Sequence, residues 1–391
     1  MPHALVALLS ALALAGLETF EQFTAAFNKT YASPEEEAYR RQVFEATRQF
    51  VQAENEKILD EIANKFRKNA LPSSSRPKFG INLFSDLTFA EFSDSFLMKN
   101  VTIRDEPDKM LEPSRLLQTQ PLSSTTAEQG VDWRAKYPVL QSVLYQGPCA
   151  GCWAFAAVSA FNGWVSKAFQ THIEFSVQEP LSCAPTGKGC EGGEPSDFFK
   201  YVKDFGGSFA FQSPFPSDVR CQNGRHGLPN KLRVATQDMM AQLKQHNQQQ
   251  QSSKARTQYG LSRVRHLLSR EGRFMALNDY RRIAAGMGNL IRAAGMGPVA
   301  VVMTASDHLK HLKSEVYAGE GCRDGDDLSH AATLTGYYVL PSGQYVLKLL
   351  NSWGRRWGQG GFFRMYAGPL DGPGLCNIAA SKGNVIPWFS N

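Results

Sequence analysis

An α+β fold, in two halves and preceded by a separate helical unit, is what this sequence predicts, on three observations. An apolar segment with helical spacing, Cys152 to Phe169, opens the C-terminal region, and strand-like segments separated by Gly and Pro turns close it. The composition shifts near residue 127, from charged and helical to rich in Gly, aromatic residues and all seven Cys. The whole chain, 391 residues with 42% hydrophobic, 20% charged and 11% aromatic, has ordinary globular composition. That composition excludes disordered, collagen-like and coiled-coil readings.

Taken in order, the chain begins with its only long apolar run, Ala4 to Leu17. No other stretch reaches the 18 to 20 or so apolar residues of a membrane span, so a multi-spanning protein is excluded. Ala13-Leu14-Ala15 offers a small-x-small cleavage pattern, and residues 1–15 read as a secretory signal that puts the cysteines in an oxidising compartment. From Glu18 to about Phe96 the chain is charged, helically spaced and poor in Gly and Pro. Within it Glu36, Arg40, Phe44, Thr47, Val51 and Asn55 are separated by 4, 4, 3, 4 and 4 residues, one slowly drifting stripe of a helix. By spacing alone this is an ordinary amphipathic face. Phe79 to Asp86 alternates like a strand, and Asn100 to Gly130, with Pro107, Pro113 and Pro121, reads as an extended, accessible linker.

In the C-terminal region Phe155, Val158, Phe161, Val165 and Phe169 carry the helical period. Ser176-Val177-Gln178-Glu179 reads as a capping box opening a second helix, with Pro180 awkwardly close behind. Pro298–Thr304, Ala331–Leu340 and Gln344–Leu350 read as strands. Residues 226–272 form a Gln-rich, basic stretch, read as a solvated insertion. From Arg225 to Arg273 there are ten basic and two acidic residues, a local +8, so the net +6 leaves the remainder at −2. Aromatic interleaving is limited to Tyr259, which argues against nucleic-acid binding.

Seven cysteines in a secreted chain imply three bridges and one spare thiol. Cys152 has the chemistry of a reactive one. It stands where the Gly147-Pro148 turn gives way to an apolar helix, and a helix N-terminus favours thiolate. Cys149-Ala150-Gly151-Cys152 also reads as a redox pair or half a zinc site. No second CxxC or matching His pair follows, so no metal is expected.

The segment Gln146-Gly147-Pro148-Cys149-Ala150-Gly151-Cys152-Trp153-Ala154-Phe155 resembles the active-site signature of the papain-like cysteine peptidases of cathepsin L and papain type. Three further motifs follow in that family's order: Cys190-Glu191-Gly192-Gly193, the histidine segment Leu328 to Tyr338, and the asparagine segment Leu350 to Met365. The helical stripe is similar to the family's inhibitory prosegment motif, with Thr47 and Val51 replacing Asn and Ile. Gly80, Asn82, Phe84 and Asp86 match its second prosegment motif. Removing the 47 residues of the insertion from the 178 between Cys152 and His330 leaves 131, inside the roughly 130–150 expected of such enzymes.

The resemblance implies a papain-like two-lobed fold: a helical left half, an antiparallel, barrel-like right half, and a helical prodomain. The expected division is signal 1–15, prosegment with linker 16–126 and peptidase domain 127–391. It implies a monomeric cysteine endopeptidase, made latent, with Cys152 as nucleophile, His330 as proton carrier, Asn351 orienting it, and Gln146 with the Cys152 amide as oxyanion hole. Trp353 shelters the His–Asn contact. The family pattern implies bridges Cys149–Cys190, Cys183–Cys221 and Cys322–Cys376. Substrate backbone is expected along Gly192 and Gly193, with a main pocket of Pro195, Val302, Leu328 and Ala331 and Ser381 at its base. Glu194 departs from the usual apolar residue and leaves tolerance of a basic side chain open. Ala150-Gly151 and Leu350 also depart from the pattern without removing a reacting atom. Its partners are protein and peptide substrates and its own prosegment, with no cofactor, nucleic acid or membrane span. The destination is a lysosome- or vacuole-like compartment or the exterior. Sequons at Asn28 and Asn100 fall in the prosegment. Release is expected on acidification, through carboxylates such as Asp86. The competing reading is an inactive relative acting as a binding or inhibitory module.

Overall fold

The computed structural model describes residues 19–67, 78–99, 101–112, 130–170, 172, 174–184, 186–205, 277 and 279–389. The signal segment, the linker from 113 to 129, the 226–272 insertion, Asn100 and Cys221 with its expected bridge lie outside these residues.

Thr19 opens the N-terminal unit with a capping box. Its hydroxyl accepts the Gln22 N–H at 3.2 Å and Gln22 Oε1 accepts the Thr19 N–H at 3.2 Å, starting α1 (Phe20–Phe27). Asn28 ends that helix in the left-handed conformation. Helix α2 (Pro34–Arg67) starts with Pro at its first position and three glutamates in its first turn, both favoured at a helix N-terminus. Its stripe is no generic amphipathic face. Phe44 meets the rings of Phe20 and Phe23 at 5.7 and 4.9 Å, and Asn55 accepts the Lys78 and Phe79 amides while donating to the Phe79 carbonyl.

Phe79 to Asp86 is not a strand. Only Phe79 forms a bridge, to Leu312, and Asn82 then turns the chain, its side-chain oxygen accepting the Phe84 N–H at 2.9 Å. Burial in this irregular segment does not follow the alternation: Phe79, Asn82, Phe84, Ser85 and Asp86 are all buried. Thr88 and Glu91 form a second capping box for α3 (Phe89–Phe96). The part of the expected linker that follows is held against the rest of the molecule, not free. Just before it Met98 donates its N–H to the Ser329 carbonyl at 2.7 Å, and within it Leu111 is buried, its N–H on the Arg282 carbonyl.

The main domain begins with β1 (Gly130–Asp132) and the short α4 (Trp133–Lys136). Helix α5 (Cys152–Phe169) is buried on most sides, Val158, Phe161 and Val165 included, because it packs between the helical half and the sheet. Helix α6 (Gln178–Cys183) forms where expected, but Val177 is its cap and no side chain caps it. Pro180 is tolerated because it lies in the first turn, where amides have no intrahelical partner. Helix α7 (Pro195–Phe205) completes this half.

The second half carries β2 (Asp279–Arg282), α8 (Met287–Met296), β3 (Val299–Met303), α9 (Asp307–Lys310), β4 (Val316–Tyr317), β5 (His330–Val339), β6 (Tyr345–Leu350), β7 (Phe362–Tyr366) and β8 (Val385–Trp388). The sheet runs β2-β8-β3-β5-β6-β7-β4 with β1 on β5, antiparallel except for β4 beside β7. Gly336 bulges β5, and a Cβ there would fall 2.0 Å from the Val131 carbonyl oxygen, so only glycine lets β1 and β6 both pair with β5. One core lies under the sheet and includes Phe79, Phe84, Phe92 and Phe96; a second lies in the helical half and includes Met98. The N-terminal unit therefore contributes to both.

Candidate active site

The cleft between the halves is where the four motif segments meet. Gln146 donates its backbone N–H to the Ser352 carbonyl at 2.8 Å, and Tyr145 bridges Trp353, so the first and last motifs are tied by backbone bonds. Cys149 and Cys190 form a disulfide and Ala150 donates to the Cys190 carbonyl, which fixes the Gly192–Gly193 segment beside the start of α5. Cys322 and Cys376 form the second of the expected bridges.

Cys152 is the first residue of α5 and the free cysteine among the described residues. Its sulfur lies within reach of the amides of Ala331, Trp153 and Cys152 itself. His330 opens β5 opposite Met303, and Asn351 follows β6 directly. Their side chains meet, His330 Nε2 to Asn351 Oδ1, at 2.8 Å. With that oxygen as acceptor, Nε2 carries the hydrogen and Nδ1 presents a lone pair. Among the described residues Nδ1 has no hydrogen-bond partner. The Trp353 ring lies tilted against the imidazole, centroids 4.6 Å apart, and is itself fully buried, with Trp357 edge-on behind it.

Burial sets the electrostatics. It pushes the Cys152 thiol up to about 12, partly opposed by the three backbone amides. It holds His330 down to about 4, partly opposed by Asn351. Covered in this way, both groups are neutral.

What covers them is the N-terminal unit. Gln146 Nε2 donates to the Phe96 carbonyl at 2.9 Å and to the Cys149 carbonyl at 2.6 Å, while Gln146 Oε1 accepts the Ser352 hydroxyl at 2.5 Å. Met98 lies 3.4 Å from where a Cβ on Gly192 would be. Phe84 and Phe92 stand edge-on to Trp353, at 6.0 and 5.1 Å.

A family model described as "Papain family cysteine protease" matches residues 127–385, and a second, "Cathepsin propeptide inhibitor domain (I29)", matches residues 20–92. The chain belongs to the papain family of cysteine proteases. It is 24% identical to fruit bromelain of Ananas comosus over 93% of this chain and 84% of that one. It is 25% identical to a cathepsin L-like proteinase of Phaedon cochleariae, over 89% and 88%. The fold is that of digestive procathepsin L2 proteinase from Tenebrio molitor larval midgut, with a TM-score of 0.66 at 22% identity, covering 95% of this chain and 98% of that one. The N-terminal unit is thus a papain-family prosegment, seated in the cleft of its own domain.

The specificity residues expected of the family also gather here. Val302 and Ala331 are cross-strand partners on β3 and β5, and with Leu328 they belong to the core that takes in Met98, Val101 and Ile103 of the prosegment. Around Gly383 the Val302 methyl, the Ile103 Cδ1 and the Ser381 hydroxyl converge. Pro195 is buried at the start of α7, and Gly193 lies so close to the Trp153 ring that a Cβ would sit at 3.0 Å. Glu194 is nearly buried and ion-paired, with Arg104 at 2.7 Å and Arg282 at 3.1 Å.

Sequence reasoning did not find Ser352, Ser196, Asp197 or Arg282. Ser352 follows Asn351 in the motif and was available to anyone asking what holds Gln146. Arg282 gave no local signal, since a lone arginine on a short strand reads as solvent-facing, yet it is fully buried here.

Proposed function

We propose that this chain is a cysteine endopeptidase made as a latent precursor, with residues 16–126 as prosegment and 127–391 as peptidase domain. Cys152, His330 and Asn351 perform the reaction and Gln146 stabilises the oxyanion. The observation that carries the reading is the Gln146 amide, which already donates to a peptide carbonyl, that of Phe96, in the cleft holding the unpaired Cys152 and the His330–Asn351 pair.

With a substrate in place, the Cys152 thiol proton passes to His330 Nδ1 and the sulfur attacks the peptide carbonyl carbon. The carbonyl oxygen becomes an anion and takes hydrogen bonds from Gln146 Nε2 and the Cys152 backbone N–H. His330 then protonates the leaving nitrogen, the C–N bond breaks, and a thioester remains on Cys152. Water, deprotonated by His330, attacks the thioester and releases the acid and the thiol. Asn351 keeps the ring aimed throughout, and Trp353 keeps water from their contact.

The prosegment places Phe96 at Gln146, Met98 at Gly192 and Arg104 at Glu194, a path we read as opposite to that of a cleavable peptide. Acid-treated chain is expected to cleave a denatured protein, and Cys152→Ala is expected to abolish it. Cleavage that persists in Cys152→Ala contradicts the proposal, as does a folded, prosegment-free chain that cleaves nothing.

A further inference from the structure

Next to the glycine wall of the cleft lies a slot lined by two buried carboxylates, and a guanidinium occupies it. Arg104 of the prosegment reaches Glu194 Oε2 at 2.7 Å, Asp197 Oδ1 at 2.5 Å and the Ser196 hydroxyl at 3.1 Å, and its backbone N–H donates to Glu194 Oε1 at 2.8 Å. The slot is built rigidly. Asp197 Oδ2 accepts the Glu194 N–H at 2.7 Å at the start of α7, and the Ser196 hydroxyl donates to Glu194 Oε2 at 3.0 Å. Glu194, Ser196 and Asp197 are all at least nine-tenths buried. One further cation takes part: Arg282, which bonds Glu194, Ser196, the Lys382 carbonyl and Glu106.

Release of the prosegment changes this balance in a definite way. Arg104 and Glu106 leave together, and among the described residues the slot keeps Arg282, bonded to Glu194 and Ser196, with Glu194 and Asp197, one positive charge against two negative. Asp197 loses its cation outright. Water replaces the guanidinium, and the slot is left with a net negative charge in a fixed hydrogen-bonded frame, which favours a positive group that fits where the guanidinium was. The slot adjoins the wall where substrate backbone is expected, since Asp197 Oδ2 lies 3.2 Å from where a Cβ on Gly193 would be. The neighbouring position is apolar: Ile103 packs on the core that holds Val302 and Ala331.

We propose that Glu194 and Asp197 form a subsite for a basic side chain, arginine above all, so that the mature enzyme takes peptides carrying a basic residue beside an aliphatic one on the non-primed side. This rests on the peptidase reading. The prosegment's Ile103-Arg104 pair fills both positions in the precursor, although its chain direction prevents cleavage.

The test uses the full-length chain after its own activation and a peptide series that places arginine, citrulline or leucine at each non-primed position in turn. Citrulline keeps the shape of arginine and lacks its charge. At one position the arginine peptide is expected to exceed citrulline at least tenfold in kcat/KM, about 1.4 kcal/mol. Asp197→Asn and Glu194→Gln are expected to bring that ratio towards one while leucine peptides are still cut. Should either variant fail to fold, the wild-type arginine-to-citrulline ratio decides alone. A ratio near one at every position overturns the proposal and leaves the peptidase reading standing, as does a preference that both folded variants retain. Failure to cut any peptide, leucine ones included, removes the peptidase reading and this inference with it.

Discussion

Gln146 uses its whole side-chain amide: the oxygen is held by Ser352 and the nitrogen is aimed by the Cys149 carbonyl at the place the Phe96 carbonyl occupies. Fixed donors of this kind matter because they need not reorganise when charge appears. Gln146→Ala is therefore expected to lower kcat about 10²–10³-fold with little change in KM, as measured on one peptide substrate after activation. Equal loss in KM alone would mean that Gln146 only binds. The groups proposed to react were each singled out in the sequence, since Gln146, Cys152, His330 and Asn351 sit in segments that carry the family's motifs. Glu194 was singled out as well, but its buried partners Arg282 and Asp197 were not, because they stand on β2 and α7, far apart in the chain. Only the fold brings them together.

At the scale of elements, α2 is held through side chains that read the backbone opposite. Asn55 satisfies two amides and one carbonyl of residues 78 and 79, all buried. Asn55→Ala leaves those groups without partners and is expected to destabilise prosegment docking by about 1–3 kcal/mol. The readout is a lower melting temperature for the precursor and an unchanged one for the processed domain. Phe92 packs against Phe84, Phe96 and Trp353, and Phe92→Ala is expected to cost about 3–5 kcal/mol by the same comparison. A precursor as stable as the parent would refute that role. Helix α2 was readable because its buried residues keep the helical period, and α5 and the strands β3, β5 and β6 because they are mostly apolar and bounded by Gly and Pro turns. The segment from Phe79 to Asp86 misled because its alternating residue types do not set its shape, which is fixed by the His311 carbonyl, which accepts the Gly80 N–H, and the Lys310 carbonyl, which accepts from Asn82. Those partners lie more than two hundred residues away, beyond any local pattern.

For the molecule as a whole, the prosegment spans both cores and closes the cleft, which makes latency a matter of burial as much as of blocked access. Burial lowers His330 to about 4 and lowers His311, beneath Phe50 of α2 and beside Lys310, well below its usual 6.5. Both bind a proton more weakly in the folded precursor than in the unfolded chain. Their contribution to the stability of the folded precursor is therefore complete above about pH 6.5 and declines as pH falls, that of His330 being lost through about 4. The melting temperature of an inert Cys152→Ala precursor is expected to fall across that window. A flat profile there would contradict the assignment. Asp86, the group first expected to trigger release, is buried between Lys29 at 2.7 Å and the Tyr31 hydroxyl at 3.1 Å, where it anchors α1 and α2 to the docking turn.

The most direct test of a latent thiol enzyme is labelling by a thiol-directed epoxide, read by intact mass and peptide mapping before and after acid release. The intact precursor at pH 7 is predicted to take no label, and the released domain to take one adduct, on Cys152, that Cys152→Ala removes. An adduct on Cys152 in the closed precursor, or none there in the folded, released domain, would contradict the account.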